Sequence, residues 1–142
     1  MSLLERITTQ IREFLDNPDS PAPLLTLEEF FEGNNDYGSI GCNLPDQPSP
    51  QEFYQLFRQI RSREVVQNVL VQVHSQDDPD LWPFCDTTFL VTSAPLIEVA
   101  SWFTERFRPD NIDEGWQDWE MDINRASYDF PTNVRPVVLW YD

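Results

Sequence analysis

Two apolar runs separated by an acidic turn constrain the fold of this chain more than any other feature. Val65–His74 alternates valines with polar residues, and Phe84–Thr92 is rich in β-branched and aromatic side chains. The intervening segment 76–83 is rich in aspartate and proline. Alternation with a period of two is typical of strands, and such a turn joins neighbouring strands. We therefore predict an antiparallel hairpin.

Helical periodicity marks three other segments. Apolar residues three and four positions apart predict a helix over 3–15, one that starts at Pro50, and one from about Pro95 to Phe107. Each segment is preceded by a serine, a residue that favours the N-cap of a helix. These serines are Ser2, Ser49 and Ser93. The three helices are thus predicted with defined starts.

Three segments are less clear. Leu24–Phe31 has alternating apolar residues that favour a strand, but Thr26 and Glu29 would also form the capping box of a short helix. We favour the strand because the segment is short and follows a proline. Asp110–Asp122 is strongly acidic, and we expect irregular structure or a short helical turn there. Val134–Trp140 predicts a last strand.

The order of these elements predicts an α+β fold of the ferredoxin-like, split βαβ type. Such a fold has an antiparallel sheet of four strands, ordered fourth, first, third, second, with two helices on one face. We expect a single domain over 1–142, in which 1–16 is an N-terminal helical appendage and 24–142 is the α+β core. The open sheet face would be covered by the N-terminal helix, by 110–133 or by a second copy of the chain.

The charge of the chain excludes several functions. The sequence has 25 acidic residues against nine arginines, with no lysine and a net charge of −16. This balance opposes nucleic acid and anionic membranes, and it favours a basic protein partner. Schiff-base and P-loop chemistry need a lysine. Two cysteines and one histidine cannot build a closed structural zinc site without carboxylate ligands. We expect no cofactor.

The sequence contains no apolar run long enough for a signal core or a membrane span. We therefore expect a cytoplasmic protein with reduced thiols.

The stretch Phe30–Asn43, FFEGNNDYGSIGCN, contains three of the four glycines. Glycine and asparagine tolerate left-handed backbone, so this loop can present backbone N–H groups to a ligand or partner. A calcium loop that starts at Glu32 fails, because Tyr37 takes the glycine position. The alternative is a connector whose side chains cap its own backbone. The candidate binding residues are Asn34, Asn35, Asp36, Ser39 and Asn43.

Other candidates lie around the predicted hairpin. Trp82 and Trp116 lie among carboxylates, and they would either form a protein interface or cover the open face of the sheet. Asp86 is a candidate polar residue of a small-molecule site at the glycine loop. His74 and Cys85 would face each other across the hairpin as a nucleophilic dyad, or simply be a half-exposed histidine beside an inert thiol. Asp86 would point to the opposite face from the histidine. The acidic runs would bind a divalent cation weakly or remain solvated.

The loop FFEGNNDYGSIGCN and the segment WPFCDTTFLVTSAP, with the RPD and GW motifs that follow, carry a family resemblance. The chain resembles an uncharacterised family of small acidic bacterial proteins over about Leu24–Tyr141. The resemblance implies a bacterial cytosolic protein and a family-typical loop. It implies no activity, cofactor or catalytic residue.

The leading hypothesis is a non-enzymatic protein-interaction domain, comparable to an immunity protein or an adaptor, with an acidic and aromatic surface. One alternative is a small-molecule or enzymatic site at the loop Gly33–Asn43. Another is a structural homodimer.

Overall fold

A computed structural model of the protein describes residues 2–17, 22–115, 131 and 133–142. Its helices are α1 (Leu3–Leu15), α2 (Leu27–Phe31), α3 (Pro50–Arg61) and α4 (Leu96–Ser101). Its strands are β1 (Leu24–Thr26), β2 (Val66–Gln72), β3 (Thr87–Thr92), β4 (Asn111–Glu114) and β5 (Arg135–Trp140). Within these ranges, no helix has both the length and the apolar character needed to cross a membrane.

The α+β class is confirmed, but the ferredoxin-like strand order is wrong. The sheet has five antiparallel strands in the order β1-β2-β3-β5-β4. A split βαβ unit has a single helix between its first two strands, whereas here both α2 and α3 separate β1 from β2. The added helix reverses the chain once more, so β2 returns antiparallel beside β1 and pairs with it directly.

The added helix arises from a capping box at Thr26. The Thr26 hydroxyl accepts a hydrogen bond from the Glu29 backbone N–H at 3.1 Å, and the Glu29 carboxylate accepts one from the Thr26 N–H at 2.9 Å. Both contacts satisfy donors that a helix start leaves unpaired. The strand predicted over Leu24–Phe31 is therefore confirmed as far as Thr26 and wrong after it.

The starts of α1 and α3 are as predicted. Ser2 and Glu5 form a complete capping box, and the Ser49 hydroxyl accepts from the Glu52 N–H at 3.2 Å. Pro50 occupies the first turn of α3, where its missing N–H costs no intrahelical bond.

The helix predicted over 95–107 is shorter than expected. The N-cap of α4 is Pro95 rather than Ser93, and the helix ends at Ser101. A separate 3₁₀ turn follows at Glu105–Phe107. Trp102 and Phe103 are both buried, and the break between the two helical pieces places these consecutive side chains in the core.

The acidic segment after Asp110 also differs from the prediction. Asn111–Glu114 forms the edge strand β4, whereas irregular structure or a helical turn was expected. It pairs with β5, and Arg135 binds both oxygens of the Glu114 carboxylate at 2.9 Å. A strand of low intrinsic propensity thus forms because its neighbour in space supplies the hydrogen bonds and the counter-charge. Residues 116–122 lie outside the described ranges.

The two faces of the sheet carry separate buried clusters. The main core joins the buried residues of α1, α2, α3 and α4 to one face of the sheet, including Val69, Val71, Leu90, Val137 and Leu139. The opposite face carries Leu70, Phe89 and Val138, which are also buried. The helix α1 therefore packs on the helical side and does not cover the opposite face.

Candidate functional site

The glycine loop runs between α2 and α3 and is joined to the start of β3. Gly33 and Gly41 have φ angles of +78° and +61°, which lie in the left-handed region that favours glycine. Near its end, Ile40 forms a parallel bridge with Cys85, and the Cys85 N–H donates to the Ser39 carbonyl at 2.8 Å. The loop is thus held against the strand that follows the acidic turn.

Three of the predicted binding residues make hydrogen bonds within the loop itself. The Asn34 amide donates to the Ser39 hydroxyl at 3.0 Å and accepts from the Asp36 N–H at 2.9 Å. The Ser39 hydroxyl donates to the Asp36 carbonyl at 2.7 Å, and the Asp36 carboxylate accepts from the Gly38 N–H at 2.9 Å. Asn34 and Ser39 are buried. Their polar atoms therefore serve the loop backbone.

Two further side chains brace the start of the loop from distant parts of the chain. The Gln51 amide donates to the Phe31 carbonyl at 2.7 Å and to the Asn34 carbonyl at 2.8 Å. The Trp82 indole N–H donates to the Phe30 carbonyl at 2.7 Å. Trp82 was among the predicted residues, whereas Gln51 was missed because nothing in its sequence context distinguishes it from a surface helix residue.

The remaining predicted residues do not gather around one point. Asn35 and Asn43 are exposed. Asp86 accepts a hydrogen bond from the Thr87 hydroxyl at 3.0 Å and lies beside His74, with Oδ2 at 3.6 Å from Nδ1. The expectation that Asp86 points away from His74 is therefore wrong. Trp116 lies outside the described residues.

The Cys85–His74 dyad is not formed. The strand ladder is interrupted before β3, so Cys85 turns into the main core while His74 remains exposed. The Cys85 thiol donates to the Thr87 carbonyl at 3.2 Å. Burial raises the pKa of the Cys85 thiol to about 12, because desolvation disfavours the thiolate. Such a thiol is an inert core group rather than a nucleophile.

A surface groove lies between the glycine loop and the acidic turn, and we call it the acidic groove. It has a volume of about 220 Å³. Its acidic lining residues are Asp36, Asp77 and Asp78. Its apolar lining includes Leu81 and Trp82. The groove thus combines carboxylates with an aromatic and an aliphatic side chain.

Gln76 fixes the acidic turn against α1. This side chain is 8% exposed and makes three hydrogen bonds. Its oxygen accepts from Arg12 at 2.8 Å, and its amide donates to the Thr8 hydroxyl at 2.8 Å and to the Leu81 carbonyl at 3.1 Å. One wall of the acidic groove is therefore anchored to the N-terminal helix.

Three arginines elsewhere on the surface are paired with carboxylates. Hydrogen bonds from arginine are the largest cause that lowers the pKa of the carboxylates in three of these pairs. The three pairs are Arg61–Glu28, Arg106–Glu52 and Arg135–Glu114. Across the described part of the chain, no group of three or more metal-binding side chains is arranged to hold a metal ion.

These features define an acidic α+β domain with an internally braced glycine loop and a carboxylate-lined groove beside it. The chain belongs to the family described as the Uncharacterized protein YfbO family, whose model matches residues 2–139. It is 44% identical over 144 residues to the Uncharacterized protein YfbO of Escherichia coli (strain K12), and the match covers 100% of both chains. No solved structure matches the chain.

Proposed function

We propose that the protein is a non-enzymatic, cytoplasmic protein-interaction domain that binds a basic protein partner through its acidic surface. The observation that carries this proposal is the charge balance together with its distribution. The chain carries a net charge of −16, and four arginine–carboxylate pairs already occupy Arg12, Arg61, Arg106 and Arg135. The field of the protein is therefore strongly negative and attracts a positively charged partner.

The negative electrostatic field of the protein also favours a basic protein over other kinds of partner. Nucleic acids and anionic membranes carry like charge and would be repelled, whereas a basic protein surface would be steered toward the domain. Acidic adaptors and immunity proteins act in this way, and the comparison is one of surface chemistry rather than of fold.

The glycine loop gives little support to a small-molecule or enzymatic site. Asn34 and Ser39, which were expected to line such a site, are buried and hydrogen-bonded within the loop. The Cys85 thiol is buried in the core. A homodimer through the open sheet face is also disfavoured, because Phe89 and its neighbours on that face are already buried within one chain.

The test is a capture experiment followed by titration. The full chain is immobilised and exposed to a bacterial extract at about 0.1 M and about 1 M salt, where the screening length falls from roughly 10 Å to 3 Å. An unrelated acidic protein of similar net charge serves as the control surface. The protein enriched over the control is then purified and titrated against the domain.

We expect a basic protein that binds at low salt, is released at high salt and forms the complex again from purified components. An enriched partner that is acidic or neutral, or an affinity that is the same at both salt concentrations, would contradict the proposal.

A further inference from the structure

We infer that the acidic groove binds the guanidinium group of a single arginine on the basic partner. The inference rests on the proposed function and gives it a defined location. The groove measures about 220 Å³, below the roughly 300–1,000 Å³ typical of small-molecule pockets. Its size therefore suits one side chain of a partner protein better than a metabolite.

Two of the three carboxylates of the groove, those of Asp36 and Asp78, are held in place by their own backbone. The Asp36 carboxylate accepts from the Gly38 N–H, and the Asp78 carboxylate accepts from the Asp80 N–H, both at 2.9 Å. A carboxylate has about four acceptor positions, so each retains capacity for a donor from outside. Asp77 and Asp78 are exposed and can approach a partner directly. The groove is thus an acceptor surface with fixed geometry.

The apolar side of the groove favours arginine over lysine. The hydrogen bond from Trp82 to the Phe30 carbonyl fixes the orientation of the indole that lines the groove. A guanidinium is planar and weakly hydrated, and it stacks on an aromatic face while binding carboxylates with its edge. Leu81 is 56% exposed and can pack against the aliphatic part of the same side chain.

The groove is already formed before binding. Gln76 holds the acidic turn to α1 through Arg12 and Thr8, and Trp82 joins the same turn to the end of α2, where the glycine loop begins. A partner therefore does not have to order these segments, which reduces the entropic cost of association.

The test measures the binding of synthetic peptides by fluorescence polarisation. The probe is a fluorescein-labelled peptide with four arginines spaced by glycine and serine, and a lysine peptide of equal charge is its counterpart. Both are titrated at about 0.1 M salt against the full chain and its variants. The groove variant is Asp77→Asn/Asp78→Asn, because asparagine keeps the oxygen that accepts from the Asp80 N–H.

The matched control removes the same charge at the other end of the hairpin. Glu64 precedes β2, and Glu98 lies in α4. At this end of the β2–β3 pair, the Ser93 N–H donates a hydrogen bond to the Val65 carbonyl. Both glutamates are exposed, so Glu64→Gln/Glu98→Gln alters the net charge equally without disturbing the core. Thermal unfolding of each variant verifies that it is folded.

A variant that keeps the net charge tests whether the shape of the groove contributes to binding. A Cβ added at Gly38 would lie 3.3 Å from the Asp36 carboxylate, on the wall of the groove. The Gly38 backbone has no positive φ angle, so alanine is allowed there once the Asp36 carboxylate moves by a few tenths of an ångström. It narrows the groove while the net charge of the protein stays the same.

We expect the arginine peptide to bind about tenfold more weakly to the groove variant and less than about twofold more weakly to the control. Gly38→Ala should also weaken binding, and the lysine peptide should bind less tightly than the arginine peptide.

If the groove variant and the control variant weaken peptide binding equally, the groove is not the binding site, but the proposal of a basic partner still stands. Equal affinity for arginine and lysine peptides would overturn the guanidinium assignment. No binding of either peptide to the wild-type protein would overturn the groove proposal, and the capture experiment decides the basic partner separately.

Discussion

The sharpest test of the braced loop is the substitution Asn34→Ala. This buried side chain donates to the Ser39 hydroxyl at 3.0 Å and to the Phe30 carbonyl at 3.3 Å, and it accepts from the Asp36 N–H at 2.9 Å. The variant removes all three contacts. The Phe30 carbonyl keeps its bond from the Trp82 indole, whereas the Asp36 N–H loses the Asn34 oxygen.

The magnitude follows from these contacts. Each hydrogen bond contributes about 1 kcal/mol, and a partly buried donor left without its acceptor adds to the loss. Because the bond to Phe30 is long and that carbonyl stays satisfied, we expect a loss of about 2–3 kcal/mol in the free energy of unfolding. With a urea m-value of about 2 kcal/mol/M, the midpoint of unfolding falls by about 1–1.5 M.

The assay is urea unfolding followed by tryptophan fluorescence, and the chain provides a matched control. Asn35 is the next residue, is exposed and has no positive φ angle, so Asn35→Ala should change the free energy by less than about 0.5 kcal/mol. If Asn34→Ala shifts the midpoint no more than Asn35→Ala does, the side chains do not hold the loop. Asn34 would then again be a candidate for ligand binding.

Three further predictions concern other parts of the chain. Arg135 lowers the pKa of Glu114 below its ordinary 4.5, so this ion pair stabilises the fold above pH 4.5 and loses its contribution as the pH falls. The difference in unfolding free energy between wild type and Glu114→Gln, measured by urea unfolding, should therefore shrink between about pH 6 and pH 3. With the other cysteine replaced by serine, the Cys85 thiol should resist a disulfide reagent at about pH 8 until urea is added, because its pKa is raised to about 12. Gly41→Ala should lower the melting temperature, because φ is +61° and the new Cβ would lie 2.7 Å from the buried Phe53 ring.

Each of these predictions has a contrary outcome. A pH-independent difference for Glu114→Gln would mean that the ion pair with Arg135 does not persist in solution. Rapid labelling of Cys85 in the folded protein would contradict its burial in the core. An unchanged melting temperature for Gly41→Ala would show that the loop relaxes around the added methyl group.

Sequence reasoning succeeded where the signal is local. The starts of α1 and α3 and the runs of β2 and β3 depend on capping residues and on periodicity within each segment, and all four were predicted. The helical half of Leu24–Phe31 was also encoded locally, by Thr26 and Glu29, but a weak alternation competed with it. Because of that error the predicted fold lacked α2, and β2 was predicted to run parallel to β1 instead of antiparallel.

The features that sequence reasoning missed depend on distant partners. The strand β4 has little intrinsic preference for extended structure and forms through β5 and Arg135. The bonds that brace the loop reach across 20 residues from Gln51 and 52 residues from Trp82. The acidic groove likewise joins Asp36 to a turn some 40 positions later in the chain. Its acidic residues were visible in the sequence, but their proximity was not.

The strand order has a consequence for biosynthesis. Since β5 lies between β3 and β4 in the sheet, neither of these strands has its β5 partner until β5, the last described strand in sequence order, has been synthesised. During translation β3 therefore presents a free edge, and free edges of apolar strands promote pairing between chains. A chain that stalls before Arg135 leaves Phe89, Leu90 and Val91 along that edge. The pairing of β5 with β3 is thus the step that covers this apolar edge of the sheet.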